Sequence, residues 1–202
     1  PPHPFYPPPD HRPLHLLGRR QRQMCIRDRY MDVLEEIKKR HSVRAFLDKE
    51  VDESVVREII EVSKQSPSGV NSQPWKVYAV LGKARDNLVK EACEKFDAGS
   101  WESEEYQVYP NKENMPDWYK ARQRACGFGM YGVLGIERED REKRTAQARK
   151  NYELFGAPVG LFISVNKAVG PNGWGHVGHF VQSICLAAVG SGSVSYTHLK
   201  LP

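Results

Sequence analysis

The sequence predicts an α+β fold in which helices surround a small central, mostly antiparallel sheet. Segments with the apolar spacing of amphipathic helices alternate with two short segments rich in β-branched and aromatic residues, 75–82 and 160–165. The chain has 202 residues, of which 40 % are hydrophobic and 27 % charged, as is typical of one globular domain with a core. No stretch has the roughly 18 apolar residues of a membrane span, and no secretory signal is evident.

Apolar periodicity predicts the helices one by one. Val33, Leu34 and Ile37 mark one face of a first helix. A second helix starts at the N-cap Asp52. Its apolar face consists of Val55, Val56, Ile59, Ile60 and Val62. Further helices are expected over 83–96, 140–155 and 176–189, with a possible one at 117–129 in an aromatic-rich stretch.

Both ends differ in composition from the body. Seven of the 14 prolines fall within the first 13 positions, so we expect 1–30 to be a disordered and non-native leader. QMCIRDR (23–29) and VSYTHLKLP (194–202) resemble translated adapter sequence, so we expect 191–202 to be a non-native tail. The domain would then span 31–190 and be incomplete at its C-terminus, because the last helical pattern stops in mid-course at Gly190. Genuine disordered termini are the alternative.

The net charge of +5 comes from these ends. The stretch 31–190 has 23 basic and 23 acidic residues. A neutral body does not predict a nucleic-acid partner. The four cysteines form no CxxC pair, which favours reduced, buried thiols in a cytoplasmic protein over a zinc site or a disulfide framework.

RHSVR (40–44) is the first motif with chemical potential, and it closes the first helix. Arg40 and Arg44 offer guanidinium groups, which bind phosphate oxygens in a bidentate manner, and Ser42 adds a donor between them. The simpler interpretation is that basic residues at a helix C-terminus complement the helix dipole. The motif alone leaves both interpretations open.

SPSGVNSQPW (66–75) is the second motif, between a predicted helix and a predicted strand. Its ten residues exceed the roughly two to six of a plain connector. Asn71 and Gln73 both donate and accept hydrogen bonds, which suits the edge of a heterocycle. Ser68 and Gly69 let the backbone approach a ligand closely, and Trp75 is expected to anchor the loop on the core. A capped turn without a ligand is the alternative.

Together the two motifs resemble the FMN-dependent nitroreductase family, in which R-x-S-x-R is followed by a helix and by S-P-S-x-x-N-x-Q-P-W leading into a strand. NYELFGAPVGLFISV (151–165) is similar to the family's Ala-Pro entry into a central strand. WGHVGHFVQSICLAA (174–188) is similar to the core helix that follows, and 109–140 resembles the insertion of a branch that reduces nitroaromatic compounds. The resemblance spans about 31–190.

The resemblance implies a nitroreductase-like fold and a homodimer with flavin sites at its interface. The residues that would hold the phosphate and ribityl chain of one FMN are Arg40, His41, Ser42 and Arg44. Those that would reach the same flavin from the partner subunit are Pro67, Ser68, Gly69 and Asn71, with Gln73 supporting the loop. Relatives continue past the equivalent of Gly190 with a flavin-covering loop, a strand and a C-terminal arm, so we expect their loss to weaken FMN binding and dimerisation.

The resemblance also implies an enzyme. NAD(P)H would deliver hydride to flavin N5, and a nitroaromatic or other electron-poor acceptor would then take it in a ping-pong cycle, so no side chain is assigned as catalytic. A dehalogenase-type or flavin-destroying member of the same fold, a non-catalytic flavin-binding protein and an inactive fragment stay open.

Two further features have competing interpretations. His176 and His179 have the i, i+3 spacing of metal ligands, but no third ligand is suggested and we expect no metal. Relatives more often carry an acidic residue near position 176. The aromatic residues of 101–131 form either core or a lid over the acceptor, and the family position favours the lid.

Overall fold

The computed structural model describes residues 33–100 and 112–197. Helices and strands alternate along this part of the chain, with six α-helices and one two-stranded sheet. In chain order they are α1 (Val33–Lys39), α2 (Glu53–Ser63), β1 (Trp75–Leu81), α3 (Gly82–Asp97), α4 (Asp117–Val133), α5 (Arg141–Arg149), β2 (Val159–Val165) and α6 (Asn172–Gly190). The α+β prediction is confirmed.

The two strands are antiparallel, with Trp75 opposite Val165 and Leu81 opposite Val159. Side chains alternate between the faces of a strand, so odd-numbered residues of both strands share one face. That face packs on the core through Trp75, Val77, Leu161 and Ile163. Phe162, on the other face, is 43 % exposed. The predicted strand 75–82 ends one residue early, because Gly82 already begins α3.

The core forms around α6. Phe180 is completely buried, and its ring stacks on that of Trp75 with a centroid distance of 4.6 Å and an interplanar angle of 5°. Ile184 and Ala188 continue the same face of the helix, four residues apart, and Ile59 of α2 packs against them. The helix contacts α1, α2 and both strands, so it is the element around which the described fold is organised.

Helix α2 starts as predicted, because the Asp52 carboxylate accepts a hydrogen bond of 2.7 Å from the Ser54 amide. The interaction holds the pKa of Asp52 below its usual value. Helix α1 also forms where predicted, but its apolar face is not the buried one. Val33 and Leu34 are each 64 % exposed, whereas Glu36 is only 7 % exposed. Lys39 pairs with Glu36 Oε1 at 3.1 Å, whereas Glu36 Oε2 is buried without a hydrogen-bond partner in the described part of the chain.

The prediction of a helix over 140–155 is wrong after residue 149, because α5 ends at Arg149. Leu154 and Phe155 have φ of 53° and 54°, which a helix does not allow. Arg85 of α3 holds this turn by donating to the carbonyls of Glu153, at 3.1 Å, and Ala157, at 3.0 Å. These partners are about 70 positions away in sequence, so local periodicity contains no sign of them.

Arg149 ties the end of α5 to α3. It donates to both carboxylate oxygens of Asp97 at 2.9 to 3.2 Å and also pairs with Glu153. These hydrogen bonds hold the pKa of Asp97 below its usual value and raise that of Arg149. Cys93 lies beside this cluster, and burial raises the pKa of its thiol.

The aromatic-rich stretch contains α4, which extends beyond the predicted 117–129. None of its residues is buried. Trp118 is 61 % exposed and Phe128 is 64 % exposed, so these two aromatic side chains do not enter the core of the chain. Trp101, Tyr106 and Tyr109 lie outside the described residues.

The cysteine prediction is confirmed in part. Cys93 and Cys185 are buried free thiols, but Cys126 on α4 is exposed, and Cys25 lies outside the described residues. Across 33–100 and 112–197, no helix has the length and apolarity needed to cross a membrane.

Replacing Phe180 with alanine is expected to lower the free energy of unfolding by about 3–5 kcal/mol, since it removes a fully buried ring and leaves a cavity beside Trp75. Urea unfolding followed by circular dichroism measures the change. Phe162→Ala, on the exposed face of β2, is the matched control and should cost much less. Equal losses in the two variants would contradict a core centred on α6.

Candidate functional site

The 66–75 loop begins where α2 ends and leads into β1. Its backbone turns on itself, with the Asn71 amide donating to the Ser68 carbonyl at 2.9 Å and the Ser72 amide to the Gly69 carbonyl at 3.0 Å. The Gln73 amide donates to the Ser68 hydroxyl at 3.0 Å. Ser68 therefore closes the loop, while the Asn71 side chain has no hydrogen-bond partner among the described residues and is exposed.

The loop holds strained backbone. Val70, Asn71 and Gln73 have φ of 49°, 54° and 42°, in the left-handed region that disfavours residues with a Cβ. Such residues cost of order 1–3 kcal/mol each and persist where surrounding structure enforces them. Val70 is β-branched and 101 % exposed, so no burial of its side chain offsets the strain. Contacts between the loop and other parts of the chain must therefore hold the strained backbone in place.

Helix α6 provides that support. Ser66 is buried, and its hydroxyl lies 2.7 Å from that of Ser183. The Pro67 carbonyl lies 3.3 Å from His179 Nδ1. A Cβ on Gly69 would lie only 3.2 Å from Cε1 and Nε2 of His176. The start of the loop therefore rests on one stripe of α6.

The 40–44 motif follows the last turn of α1. The Arg40 amide still donates to the Glu36 carbonyl at 3.0 Å, and His41 Nδ1 lies 2.8 Å from the Lys39 carbonyl. Neither Arg40 nor Arg44 forms an ion pair within the described part of the chain. Ser42 is exposed between them. The motif thus presents two guanidinium groups whose charges are available to an anion.

Residues after α6 contact this motif. Ser42 and Ser195 form a parallel bridge, in which the Val43 amide donates to the Ser195 carbonyl at 3.1 Å. The Arg44 guanidinium lies 5.0 Å from the centroid of the Tyr196 ring. Tyr196 in turn packs edge-on against Phe155, with centroids 4.7 Å apart.

The 66–75 loop and the segment after α6 contact different stripes of that helix. His176, His179 and Ser183, which contact the loop, share one stripe. Cys185 Sγ lies 3.3 Å from the hydroxyl of Thr197, which follows the two residues that contact the 40–44 motif. At 3.6 residues per turn, Cys185 points roughly 120–180° away from that stripe.

The predicted site residues therefore fall into two groups within one chain. Arg40, His41, Ser42 and Arg44 form the first group, and Pro67, Ser68, Gly69, Asn71 and Gln73 form the second. Among the described residues, no hydrogen bond or ion pair joins the groups.

Sequence reasoning missed the supporting residues, namely Ser66, Ser183, His179 and Tyr196. A signal for two of them exists, because His179 and Ser183 form a polar stripe with His176 on a mostly apolar helix. Such a stripe indicates contact with backbone or solvent. In the described ranges, no group of three or more His, Cys, Asp or Glu side chains gathers as metal ligands would.

The fold is that of an α+β protein with a central helix, and two polar segments contact that helix or the chain after it. A family model described as "Nitroreductase family" matches residues 37–196. The chain belongs to the nitroreductase family.

Two curated relatives have names that describe the reduction of nitroaromatic compounds. The chain is 31 % identical over 153 residues to the 4-nitrobenzoate reductase of Nocardioides sp. (strain LMS-CY), covering 75 % of this chain and 62 % of that protein. It is 32 % identical over 157 residues to the nitrobenzene nitroreductase of Ectopseudomonas oleovorans, covering 77 % and 68 %. The chain thus spans about two-thirds of the length of these relatives.

Among solved structures, the fold is similar to that of the FMN and NADPH-dependent nitroreductase NfnB from Sphigopyxis sp. strain HMH. The TM-score is 0.74 and the identity 36 %, with 80 % of this chain and 72 % of that chain covered. The predicted family and nitroreductase-like fold are confirmed.

Proposed function

We propose that this chain is one subunit of a cytoplasmic homodimer that binds FMN at the subunit interface. It uses NAD(P)H to reduce nitroaromatic or other electron-poor small molecules in a ping-pong cycle. Family membership supports the proposal, as do the names of the relatives, which include nitrobenzoate and nitrobenzene reductases and an FMN- and NADPH-dependent enzyme.

The 40–44 motif fits the phosphate end of FMN. Arg40 and Arg44 have no acidic partner among the described residues, so a phosphate dianion would not have to displace a carboxylate. The exposed Ser42 hydroxyl lies between them as a further donor, and His41 would contact the phosphate or the ribityl chain. The Arg44 guanidinium carbon lies 5.0 Å from the centroid of the Tyr196 ring, so the described neighbour of this charge is an aromatic ring and not a carboxylate.

The 66–75 loop fits the edge of the isoalloxazine ring. The Asn71 amide is exposed and unpaired within the described chain, so it can match both a donor and an acceptor. Pro67, Ser68 and Gly69 would bring backbone close to the ring. Gln73 holds the loop instead, through a long contact of 3.4 Å from Nε2 to the Lys64 carbonyl.

The observation that carries the proposed dimer is that, among the described residues, no hydrogen bond or ion pair joins the 40–44 motif to the 66–75 loop of the same chain. A second copy, related by a two-fold axis, would bring its own 66–75 loop to the 40–44 motif of the first.

When bound, FMN supplies the redox centre that accepts hydride and passes electrons to the acceptor. The residues of the chain bind and orient it. Donors at the loop would stabilise negative charge that develops at the ring edge during reduction, and the arginines would neutralise the phosphate. No side chain is proposed as an acid or a base.

Adding FMN to the purified protein is expected to give a flavin absorbance band that bleaches with anaerobic NADPH and returns with a nitroaromatic acceptor. Retained flavin that NADPH does not bleach would contradict the enzyme and support a non-catalytic flavin-binding protein. Protein that retains no flavin would contradict FMN binding by this chain.

Arg44→Gln is expected to weaken FMN binding by about 10-fold to 100-fold, because it removes a charge-assisted hydrogen bond to phosphate. Riboflavin lacks the phosphate, so its affinity should stay unchanged. Titration by flavin fluorescence measures both. Arg57→Gln, which removes an exposed arginine paired with Glu53, is the matched control. An equal loss for riboflavin and FMN would exclude a phosphate role for Arg44.

Mixing subunits tests the shared site. Arg44→Gln and Asn71→Ala chains each form defective sites alone, but a mixed dimer would contain one site with both native halves. At random assortment, roughly a quarter of all sites should regain native FMN affinity, as measured by titration of the co-refolded chains. If both halves of a site come from one chain, mixing restores nothing.

A further inference from the structure

The polar stripe of α6 takes no direct part in the proposed cofactor contacts. His179 is exposed, with its Nδ1 3.3 Å from the Pro67 carbonyl, and His176 is half-buried against Gly69. Ser183 completes the stripe through its hydroxyl contact with Ser66. All three contacts fall on the first part of the 66–75 loop.

We propose that His176 and His179 are positioning residues that set the orientation of the 66–75 loop and thereby the FMN affinity of the site. The inference rests on the proposed function, since the orientation of the loop matters for affinity only if the loop contacts FMN. It assigns both imidazoles a role other than the metal ligation that their spacing suggests.

The contact of His179 with the Pro67 carbonyl requires one tautomer of the imidazole. A carbonyl oxygen only accepts hydrogen bonds, so Nδ1 must carry a proton to bind it. A neutral His179 is therefore the Nδ1–H tautomer, with the Nε2 lone pair directed away from Pro67. In the other neutral tautomer, the lone pair of Nδ1 would face those of the Pro67 carbonyl oxygen, and the hydrogen bond between His179 and the loop would be lost.

The contact of His176 is steric. Gly69 is not among the residues with positive φ, so its backbone conformation does not require glycine. The imidazole favours glycine instead, because an added Cβ would lie 3.2 Å from two ring atoms and the ring would have to shift by a few tenths of an ångström. His176 thus limits how near the Gly69 backbone comes to α6.

These contacts matter because the hydrogen bonds inside the loop close the turn without orienting it. The Asn71 and Gln73 amides both bond to Ser68, within the loop itself. Val70, Asn71 and Gln73 follow immediately with left-handed backbone, which relaxes if its base is released. The two histidines, together with the buried hydroxyl of Ser66, hold that base just before the strained residues.

The decisive comparison is His179→Leu against His179→Asn in the full chain. Leucine keeps much of the volume but has no donor, whereas Asn Nδ2 is attached at the same position as His Nδ1. We expect His179→Leu to weaken FMN binding about fivefold, the value of one lost hydrogen bond, and His179→Asn to stay within about twofold of the native protein. Equal losses in both variants would overturn the donor role.

A second measurement needs no flavin. In the cofactor-free protein, amide hydrogen exchange at positions 71–73 should quicken about fivefold in His179→Leu and stay near native in His179→Asn. Nitrogen chemical shifts should report His179 as the Nδ1–H tautomer. Unchanged exchange in His179→Leu, or the Nε2–H tautomer, would overturn the proposal. If the chain binds no FMN, this readout still tests the loop tether, so failure of the proposed function is recognised separately.

His176 is tested by a double-mutant cycle. Gly69→Ala should quicken the exchange of the same amides, because the new methyl group presses on the imidazole. Adding His176→Ala should restore most of the protection, since the small side chain makes room. Additive effects of the two substitutions would show that His176 does not set the approach of Gly69.

Discussion

The stack of Phe180 on Trp75 is the interaction on which the rest of the structure depends. Phe180 is the completely buried centre of α6, and Trp75 is both the first residue of β1 and the last of the 66–75 loop. One ring contact therefore joins the central helix, the sheet and the loop. Other faces of the same helix meet the start of the loop and the segment that contacts the 40–44 motif.

Much of the fold could be predicted from local pattern. The strands were recognisable because their side chains suit a pleated, half-buried surface, and α2 because its cap and apolar face agree. The prediction failed where distant residues decide the outcome. Arg85 holds the turn that ends α5 early, and the packing of α1 on the distant helix α6 places Glu36 rather than Leu34 on the buried side. Neither effect leaves a periodic signal.

For the candidate site, too, local sequence features could be predicted and long-range placement could not. Both motifs could be identified from their residue types and spacing, but their placement around α6 could not. The spacing of His176 and His179 predicts only that they share a face of the helix. What meets that face is decided by the packing of the loop, through Ser66 and Pro67. The sequence alone therefore does not distinguish metal ligands from residues that position the loop. The distinction depends on the packing of the loop against this face of the helix.

Backbone strain and an exposed polar side chain occur together in the 66–75 loop. Val70 and Asn71 have left-handed backbone, and the Asn71 side chain is exposed and forms no hydrogen bond within the described chain. In the proposed function, an amide that is already exposed would meet a ligand without reorganisation of the loop, so less binding energy would go to ordering the site. The contacts of α6 with Ser66, Pro67 and Gly69, together with the stack of Trp75 on Phe180, connect this loop to the core of the folded chain.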